Sequence, residues 1–500
     1  MADTAHLDAS EKRKVTLVSG PKGSGDGGPE RPEKLYKARE KIYPKLAHGK
    51  FRTIKWVLLA IAMVVYYGLP WVRWPRGEGA PDQAVLADFA GERFYFFFIE
   101  IWPQEVYYIT GLLILASLGL FLVTSLFGRV WCGYACPQTV WTDLYIMVER
   151  FFEGDRAARM RLDKAPMSFN KVWRKTAKHV VWLVVAFFTG GALIMYIYDA
   201  PTLVSEFWVG QAPVSSYILV GVLTFTTYSL AGLMREQVCT YMCPWPRIQA
   251  ALTDEEALNV TYRVHRGEPR GPLRKGEDWD ARGDCIDCKQ CVQVCPMGID
   301  IRDGAQLECI HCALCIDACD EIMDKIGRPR GLISYETDKA MEERARGETP
   351  HYRLIRPRTV LYSVLFAAVA GIMIWGLMTR STFEVNVLKD RSPPFVRLSD
   401  GTLRNGYSLK LVNKAAEARD LTVSLSGLES MGVEVIGQDE IDGTVMELPV
   451  DASGVDRYRL LVTVPPGIVE RRANFTLTVT DPVSGESHSN QVPFVGPEGG

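Results

Sequence analysis

The 500-residue sequence carries no large charge of either sign, because 57 lysines and arginines stand against 59 aspartates and glutamates, for a formal net charge of −2. No strong single-sign field remains to indicate a class of partner, and no nucleic-acid partner is expected. No apolar stretch precedes Trp56. The sequence therefore offers no signal peptide, and its first long apolar run is expected to be the membrane anchor itself.

A convincing nucleotide-binding motif is also missing. Gly23-x-Gly25-x-x-Gly28 formally matches a dinucleotide fingerprint, but it leads into the charged segment "PERPEKLYKARE" and not into an apolar helix. A flexible arm explains these glycines better than a nucleotide site does. Since the sequence has no flavin or nicotinamide motif, any electrons that it uses are expected to come from a separate donor.

Five long uncharged runs dominate what is present. They extend over 56–72, 106–128, 180–198, 207–234 and 359–379. About 20 apolar residues span the hydrocarbon core of a bilayer, so each run is a candidate transmembrane helix. The first run is the shortest, but Tyr66, Tyr67, Trp71 and Trp74 near its end are typical of a membrane interface. Buried helices of a soluble core are the alternative, and five such runs in one chain argue against it.

Lysine and arginine are unevenly distributed between the loops. They are frequent before Trp56 and throughout 129–178, whereas the short loop 199–213 contains neither. Because these residues accumulate in cytoplasmic loops, the N-terminus, 129–178 and 235–358 are expected in the cytoplasm. The loops 73–105 and 199–213 and the C-terminal tail are then expected outside.

Period-two alternation characterises the sequence after the fifth run. "FEVNVL", "YSLKLV", "LTVSLS", "VEVIG", "YRLLVTV" and "FTLTVT" alternate apolar and polar residues and are separated by Gly, Pro, Asp and Asn. About seven short strands in roughly 120 residues predict a β-sandwich of immunoglobulin type. This part contains no cysteine, so no disulfide bond can stabilise it.

Eight cysteines lie in the polar segment 250–358. They form the runs Cys285-x-x-Cys288-x-x-Cys291-x-x-x-Cys295 and Cys309-x-x-Cys312-x-x-Cys315-x-x-x-Cys319. This is the spacing of bacterial two-cluster ferredoxins, in which three close thiolates hold one [4Fe–4S] cluster and the fourth cysteine reaches the other. The predicted ligands of the first cluster are Cys285, Cys288, Cys291 and Cys319. Those of the second cluster are Cys309, Cys312, Cys315 and Cys295.

Zinc and disulfide bonds are the alternatives for these eight cysteines. Zinc sites usually use paired Cys-x-x-Cys with long separations, which leaves two cysteines of each run unexplained. Disulfides fit less well, because the segment is predicted to face a reducing cytoplasm. One departure from the ferredoxin pattern is Asp320, which stands where a proline commonly follows the last cysteine. His311 is expected to be a solvent-facing neighbour that tunes the cluster potential, and not a ligand.

Four further cysteines form two Cys-x-x-x-Cys-Pro (CxxxCP) motifs, each after a long apolar run. The first is Cys132 and Cys136 in "CGYACP", and the second is Cys239 and Cys243 in "CTYMCP". Cysteines at i and i+4 share a helix face, and the proline favours a break of each span at the residue before it. A thiol at the start of a new helix would have a lowered pKa. Thiolates suit a soft ion such as Cu(I) or a redox dithiol, and plain packing is the third possibility.

The predicted fold class is an α-helical membrane protein with five transmembrane helices, a two-cluster ferredoxin-like insert and an all-β immunoglobulin-like sandwich. The expected segments are a cytoplasmic basic arm (1–53), a four-helix transmembrane core with both CxxxCP motifs (54–249), the cytoplasmic insert (250–358), a fifth transmembrane helix (359–379) and a periplasmic sandwich (380–500). Within the core, "TVWTDLYIMVERFFEGDRAARM" is expected to form an amphipathic helix on the inner membrane surface.

Several long segments resemble the CcoG family, also called FixG or RdxA. They are "EIWPQEVYYITGLLIL", "GRVWCGYACPQTVWTDLYIMVERFFEGDRAAR", "REQVCTYMCPWPRIQAAL" and the eight-cysteine segment from "GDCIDC" to "EIMDKIG", and the likeness covers most of the chain. It implies a five-span bacterial inner-membrane protein with two [4Fe–4S] clusters, needed to assemble cbb3-type cytochrome c oxidase. It further implies a cupric reductase, which reduces its substrate Cu(II) to Cu(I) for the haem–copper centre of that oxidase.

The resemblance also implies roles and partners. The copper-handling or redox thiols would be Cys132, Cys136, Cys239 and Cys243. The insert cysteines would supply the electrons, and the expected associates are the lipid bilayer, the copper importer and the copper-transporting P-type ATPase.

Two alternatives to the reductase stay open. NapH- and NosR-like polyferredoxins with four spans resemble the core, so the chain could be a quinol dehydrogenase subunit; it could also be a non-enzymatic copper-binding scaffold. Glu100 and Glu105 flank Trp102 and Pro103 before the second span. They could serve a quinone or copper-entry site, although interfacial anchoring is the favoured explanation.

Overall fold

The computed structural model describes residues 41–76, 80–273, 282–415, 417–437, 443–469 and 471–497. Most of the predicted basic arm (1–53) and the glycine pattern at 23–28 lie outside the described residues. The chain divides into two units, 1–42 and 43–500, and only residues 41 and 42 of the first unit are described.

Among the described residues, five helices are long and apolar enough to cross a membrane, which confirms the five predicted spans. They extend over Lys50–Trp71, Pro103–Phe127, Phe169–Ile194, Val214–Met234 and Pro357–Met378. The third span begins before its predicted start, because the Ser168 hydroxyl caps it by accepting a hydrogen bond from the Lys171 backbone N–H (3.3 Å). By length and composition, the chain is a multi-pass membrane protein.

Shorter helices connect the spans and shape the insert, residues 250–358. In chain order the helices are α1 Lys50–Gly68, α2 Tyr107–Phe127, α3 Val130–Tyr134, α4 Pro137–Glu153, α5 Arg156–Lys164, α6 Phe169–Ile194, α7 Ala200–Val209, α8 Val214–Thr227, α9 Trp245–Leu252, α10 Val264–Gly267, α11 Gln290–Val294, α12 Leu314–Lys325, α13 Asp338–Ala345 and α14 Pro357–Met378. Two π-helical segments, Tyr228–Met234 and Val238–Met242, follow α8. π-Helical turns are rare and frequently occur at functional sites.

In the part of the chain that the structure describes, four antiparallel sheets are built from fourteen strands. They are β1 Val85–Asp88, β2 Arg93–Phe96, β3 Ile99–Ile101, β4 Asn259–Tyr262, β5 Ile333–Glu336, β6 Phe383–Lys389, β7 Val396–Arg397, β8 Leu403–Asn413, β9 Arg419–Ser426, β10 Gly432–Val435, β11 Val445–Val450, β12 Val455–Val464, β13 Arg472–Thr480 and β14 Ser487–Val495.

The fourth apolar run does not form one helix over 207–234 as predicted. α7 ends at Val209, and Gly210 follows with a left-handed backbone (φ +77°), which glycine adopts without steric cost. Pro213 then precedes Val214, the first residue of α8. The first residues of this run therefore belong to a separate short helix.

The predicted amphipathic helix is likewise two helices. α4 ends at Glu153, Gly154 has a positive φ of 85°, and α5 starts at Arg156. The buried face of α4 includes Tyr145 and Glu149, and it packs against α6.

The insert is attached to one end of the spans, called here the insert side. β4 pairs with β5, and α12 packs against α1. The Asp317 carboxylate of α12 accepts hydrogen bonds from the backbone N–H groups of Phe51 (3.1 Å) and Arg52 (2.7 Å). A carboxylate at a helix N-terminus satisfies free N–H groups and the helix dipole, so the insert caps the first span.

The C-terminal domain forms the predicted β-sandwich. One sheet has the order β10-β12-β8-β6 with β7 added to β8, and the other has the order β11-β9-β13-β14. Its core includes Leu409 and Leu411 of one sheet and Phe475, Leu477 and Phe494 of the other. From Leu403 to Leu411, successive residues of β8 alternate between buried and half-buried positions, as the period-two pattern predicts.

A small sheet of β1, β2 and β3 precedes the second span and was not predicted, because "RFYFFFIEI" does not alternate. It lies against the sandwich, where the Arg93 guanidinium donates to the Ser453 carbonyl (2.8 Å). Close by, the buried Glu105 carboxylate is ion-paired with Arg380 (2.9 Å) and Lys414 (2.6 Å). Glu105 therefore attaches the second span to the sandwich, and we call this end of the spans the sandwich side.

Candidate functional site

The first CxxxCP motif (132–137) forms a turn between the second span and α4. Cys132 lies in the short helix α3, which begins directly after the end of the second span. Cys136 has an extended backbone (φ −61°, ψ 127°) and is the N-cap of α4, whose first residue is Pro137. The break predicted from the proline is confirmed at this motif.

The second motif (239–244) shows the same break with different helical geometry. Cys239 lies in the π-helical segment Val238–Met242, and Cys243 is extended (φ −81°, ψ 122°) before Pro244. α9 follows from Trp245. The expectation that the i and i+4 cysteines share a helix face is therefore wrong for both motifs, because Cys136 and Cys243 are extended and lie outside the helix of the first cysteine.

The first motif lies directly against the insert. A Cβ atom on Gly133 would be 2.7 Å from the Ile310 carbonyl oxygen and 3.0 Å from the Cys312 backbone nitrogen, so only glycine fits without movement. The Tyr134 hydroxyl donates to the Cys312 carbonyl (3.2 Å). The backbone around Cys312, a predicted cluster ligand, is therefore in contact with two of the three residues between the cysteines of the first motif.

Arg129, which follows the second span, forms hydrogen bonds with the insert and with the segment after the second motif. Its backbone N–H donates to His311 Nδ1 (3.0 Å), and its guanidinium donates to the carbonyls of Leu307 and Pro246. Leu307 belongs to the insert, and Pro246 follows the second motif. One side chain thus links both motifs to the insert.

The solvent-facing position expected for His311 is wrong. The imidazole is buried with 9% exposure, because it accepts the hydrogen bond from Arg129 at the end of the second span. Burial and the nearby Arg129 charge lower the pKa of His311 to about 3. His311 is therefore a neutral acceptor that holds the insert against the span.

The eight insert cysteines line two separate cavities. Cys285, Cys288, Cys291 and Cys319 share the first cluster cavity, with Lys289 and Arg302 among its other lining residues. The second cluster cavity is lined by Cys295, Cys309, Cys312 and Cys315, and Cys291 also reaches it. Each cavity therefore offers the four thiols of one predicted ligand set, which is the donor chemistry that a [4Fe–4S] cluster requires. The assignment of individual ligands stays a prediction.

Burial dominates the acidity of these thiols. It raises the pKa of Cys291, Cys295 and Cys309 to about 12, and the pKa of Cys315 well above its ordinary value. Such thiols are neutral at pH 7 and become thiolates when a metal displaces the proton.

The four CxxxCP thiols are close enough to influence one another. Burial and the neighbouring thiols Cys136, Cys239 and Cys243 together raise the pKa of Cys132 to about 12, against the opposing effect of the Arg129 charge. Burial also raises the pKa of Cys239 to about 11. A lowered pKa is therefore not found at Cys132 and Cys239, because neither is the N-cap of a helix and both are largely buried.

Although the four CxxxCP thiols lie near one another, they do not form a ready-made site for a single metal ion. Among the described residues, no three Cys, His, Asp or Glu side chains converge tightly enough to hold one metal ion. Cys132 Sγ is instead 3.1 Å from Gln249 Oε1, and Cys243 is exposed. Cys239 faces the insert, where it shares a small cavity with Pro296, Met297 and Ile310.

Sequence reasoning missed Gly133, Arg129 and Met297. A glycine inside a short cysteine motif and an arginine just after an apolar run were the available signals for the first two. Met297 offered no signal beyond its place after Cys295-Pro296, because its neighbours come from a distant part of the chain.

Family models match three parts of the chain. A 4Fe–4S dicluster domain matches residues 234–338, which include all eight insert cysteines. A 4Fe–4S binding domain matches 109–153, which include Cys132 and Cys136. The IG-like fold at the C-terminal of FixG, whose description names an oxidoreductase, matches 373–497.

Curated relatives are similar along nearly the whole chain. Nitrogen fixation protein FixG of Rhizobium meliloti is 50% identical over 489 residues, which cover 92% of this chain and 93% of the relative. The chain belongs to the FixG/RdxA family. Proteins RdxB and RdxA of Cereibacter sphaeroides are each 48% identical; they align over 92% and 87% of this chain and over 97% and 92% of their own lengths.

One solved structure resembles a part of this FixG family member. The FixG-related protein from Vibrio parahaemolyticus is 17% identical, covers 23% of this chain and 96% of its own, and has a TM-score of 0.20. The 4Fe–4S family matches and the family membership make the chain a membrane-bound iron–sulfur oxidoreductase.

Proposed function

We propose that this FixG family member is a cupric reductase: Cu(II) is bound as substrate by the thiols of the two CxxxCP motifs and is reduced there by one electron to Cu(I). The observation that carries the proposal is the contact of the first motif with the insert. Gly133 meets the backbone of Cys312, and Cys239 of the second motif faces the same loop from a shared cavity. Thiols that bind a soft ion therefore lie beside thiols that suit an iron–sulfur cluster.

Two [4Fe–4S] clusters, held by the eight insert cysteines, would supply the single electrons when bound. The chain's own part is to bind copper and to favour its reduced state. Soft thiolate ligands stabilise Cu(I) over Cu(II), so the binding site itself drives the reduction. Because Cys132 and Cys239 are neutral thiols at pH 7, copper binding there must release protons.

The setting of the reaction is also proposed. Lysine and arginine are frequent in 129–178 and absent from the loop 199–213, which supports a cytoplasmic insert and a periplasmic sandwich in a bacterial inner membrane. Cu(I) would then be delivered to cbb3-type cytochrome c oxidase, with the copper importer and the copper-transporting P-type ATPase as associates. A separate protein or small molecule would donate the electrons.

The test is an anaerobic copper reduction assay on the full-length, membrane-reconstituted protein. After the clusters are reduced, Cu(II) is added together with a chelator specific for Cu(I). Formation of the Cu(I)–chelator complex at the expense of cluster reduction is expected, and its absence would rule out the reductase. Binding of added Cu(I) without any reduction of Cu(II) would favour the copper-binding scaffold instead.

A matched variant tests the role of the motifs. Serine at Cys132, Cys136, Cys239 and Cys243 should abolish Cu(I) formation and leave the iron content at the wild-type level. Undiminished Cu(I) formation would show that these thiols do not bind the copper that is reduced. A loss of iron would show that the four cysteines hold a cluster.

A second candidate function, quinol oxidation, is favoured by a large cavity between the spans. Its volume is about 710 Å³, within the usual range of small-molecule sites. The lining is mostly apolar but includes Tyr66 and Trp141, and Ala135 and Pro137 place it next to Cys136. A short-chain quinol that reduces the oxidised clusters without copper would support this function, and no reduction would exclude it.

A further inference from the structure

A small cavity lies where the second CxxxCP motif meets the insert, and we call it the thiol cavity. Its volume is about 30 Å³, which is room for about two water molecules or one ion. Cys239 lines it from the membrane side, and Pro296 and Met297, which follow Cys295, line it from the insert.

Met297 also lines the second cluster cavity. It and Ile310 are the two residues that both cavities share, so together they form the wall between Cys239 and the predicted cluster cysteines. Met297 and Cys132 both pack against a buried group of residues that includes Ile310 and Cys312. Met297 is therefore a residue of the insert that lies next to both motifs.

The charged residues of the thiol cavity are balanced. They are two carboxylates, Asp143 and Glu236, and two cations, Lys55 and Arg235. Asp143 is ion-paired with Arg52 (2.9 Å) and Lys55 (3.9 Å). A ligand set with net charge would leave an uncompensated charge at this largely buried place, which is costly. Cu(I) held by one thiolate and one neutral donor adds no net charge, because the charges of the ion and the thiolate cancel.

We propose that the Met297 thioether is this neutral donor, so that Met297 and Cys239 together hold Cu(I) in the thiol cavity. Thioethers are soft ligands that select Cu(I), whereas an apolar filler of the same size could not bind the ion. The inference rests on the proposed copper chemistry of the CxxxCP thiols. It adds a ligand from the insert, which places the copper against the wall of the second cluster cavity.

The test uses full-length protein in which all 15 methionines are replaced by selenomethionine, loaded anaerobically with Cu(I). X-ray absorption at the copper edge should show a selenium neighbour in addition to sulfur. Met297→Leu should remove the selenium neighbour and keep the sulfur signal. Met341→Leu, on α13 of the same insert and apart from the thiol cavity, should keep both.

Affinity provides the second readout. In competition with a Cu(I) chelator, Met297→Leu should lower the affinity roughly tenfold or more, the scale on which ligand-sphere changes act, and Met341→Leu should leave it unchanged. Copper bound by sulfur alone, with equal affinity in wild type and Met297→Leu, would overturn the role of Met297 and leave the thiol site standing. No copper binding by the wild-type protein would overturn both.

Discussion

At the scale of single residues, close approach of backbones decides the geometry of the site. Gly133 allows α3 to touch the insert loop, and Gly128 ends the second span with a positive φ of 58° beside His311. Neither contact is visible in a local sequence pattern, because each partner comes from residues far along the chain. The sequence shows where these glycines stand, but it does not show which residues pack against them.

Replacing Gly133 by alanine should separate the first motif from the insert. The new methyl group would overlap the Ile310 carbonyl and the Cys312 backbone, which cannot move as a flexible side chain can, so a loss of about 1–3 kcal/mol in stability is expected. Copper reduction should slow while the iron content stays constant. Gly191→Ala is the matched control, since a methyl group there meets nothing within 4 Å. Equal reduction rates in both variants would contradict the importance of this contact.

At the scale of elements, ion pairs join helices that the sequence shows only separately. Glu149 on α4 is within ion-pair distance of Arg159 on α5, Lys178 on α6 and Arg235 after the fourth span. Burial alone would raise the pKa of the Glu149 carboxyl, but these cations hold it below its ordinary value of 4.5. The amphipathic pattern predicted a helix here, and only packing showed which charged residues its buried face would carry.

Glu149→Gln should therefore destabilise the protein by about 3–5 kcal/mol at pH 7, because three buried cations lose their shared partner. The folded pKa is the lower one, so this stabilisation is present above pH 4.5 and is lost as the pH falls through the folded pKa. Thermal unfolding followed from pH 7 to pH 2, a range that extends well below pH 4.5, should show a smaller acid-dependent drop in the variant. Glu321→Gln, which breaks an exposed pair with Lys325, should change stability by less than about 0.5 kcal/mol. Similar losses in the two variants would argue against the network.

At the scale of the whole molecule, the spans are attached to a different domain at each end. On the insert side, Asp317 caps the first span, and His311 accepts a hydrogen bond from Arg129 at the end of the second span. On the sandwich side, Glu105 pairs with Arg380 and Lys414. The two domains are thus attached to the spans by specific buried polar contacts.

Glu105→Gln should loosen the sandwich from the spans without affecting the site. Arg380 loses its charged partner, whereas Lys414 keeps Glu384 (2.6 Å), so we expect a loss of about 3 kcal/mol. Limited proteolysis between α14 and β6 should accelerate, and copper reduction in the reconstituted protein should persist. Glu384→Gln serves as the control, with an expected loss below about 1 kcal/mol because Glu384 is partly exposed. Unchanged proteolysis of Glu105→Gln would show that other contacts hold the sandwich.

The sequence by itself determined the features that depend on neighbouring residues. Runs of apolar residues predicted the spans, period-two alternation predicted the sandwich, and a proline after each motif predicted the break at Cys136 and Cys243. Local errors arose where a single residue redirects the backbone, as at Gly154 and Gly210, or where a strand lacks alternation, as in β2.

Only the tertiary structure decided what lies next to what. In the tertiary structure the two CxxxCP motifs, which are far apart in the chain, lie against one loop of the insert. His311 is buried, whereas the sequence predicted a solvent-facing side chain. The tertiary structure also placed Met297 between Cys239 and the second cluster cavity. The reason is physical: spacing constrains residues within a few turns of backbone, whereas contacts between distant segments depend on how whole helices and the insert pack together.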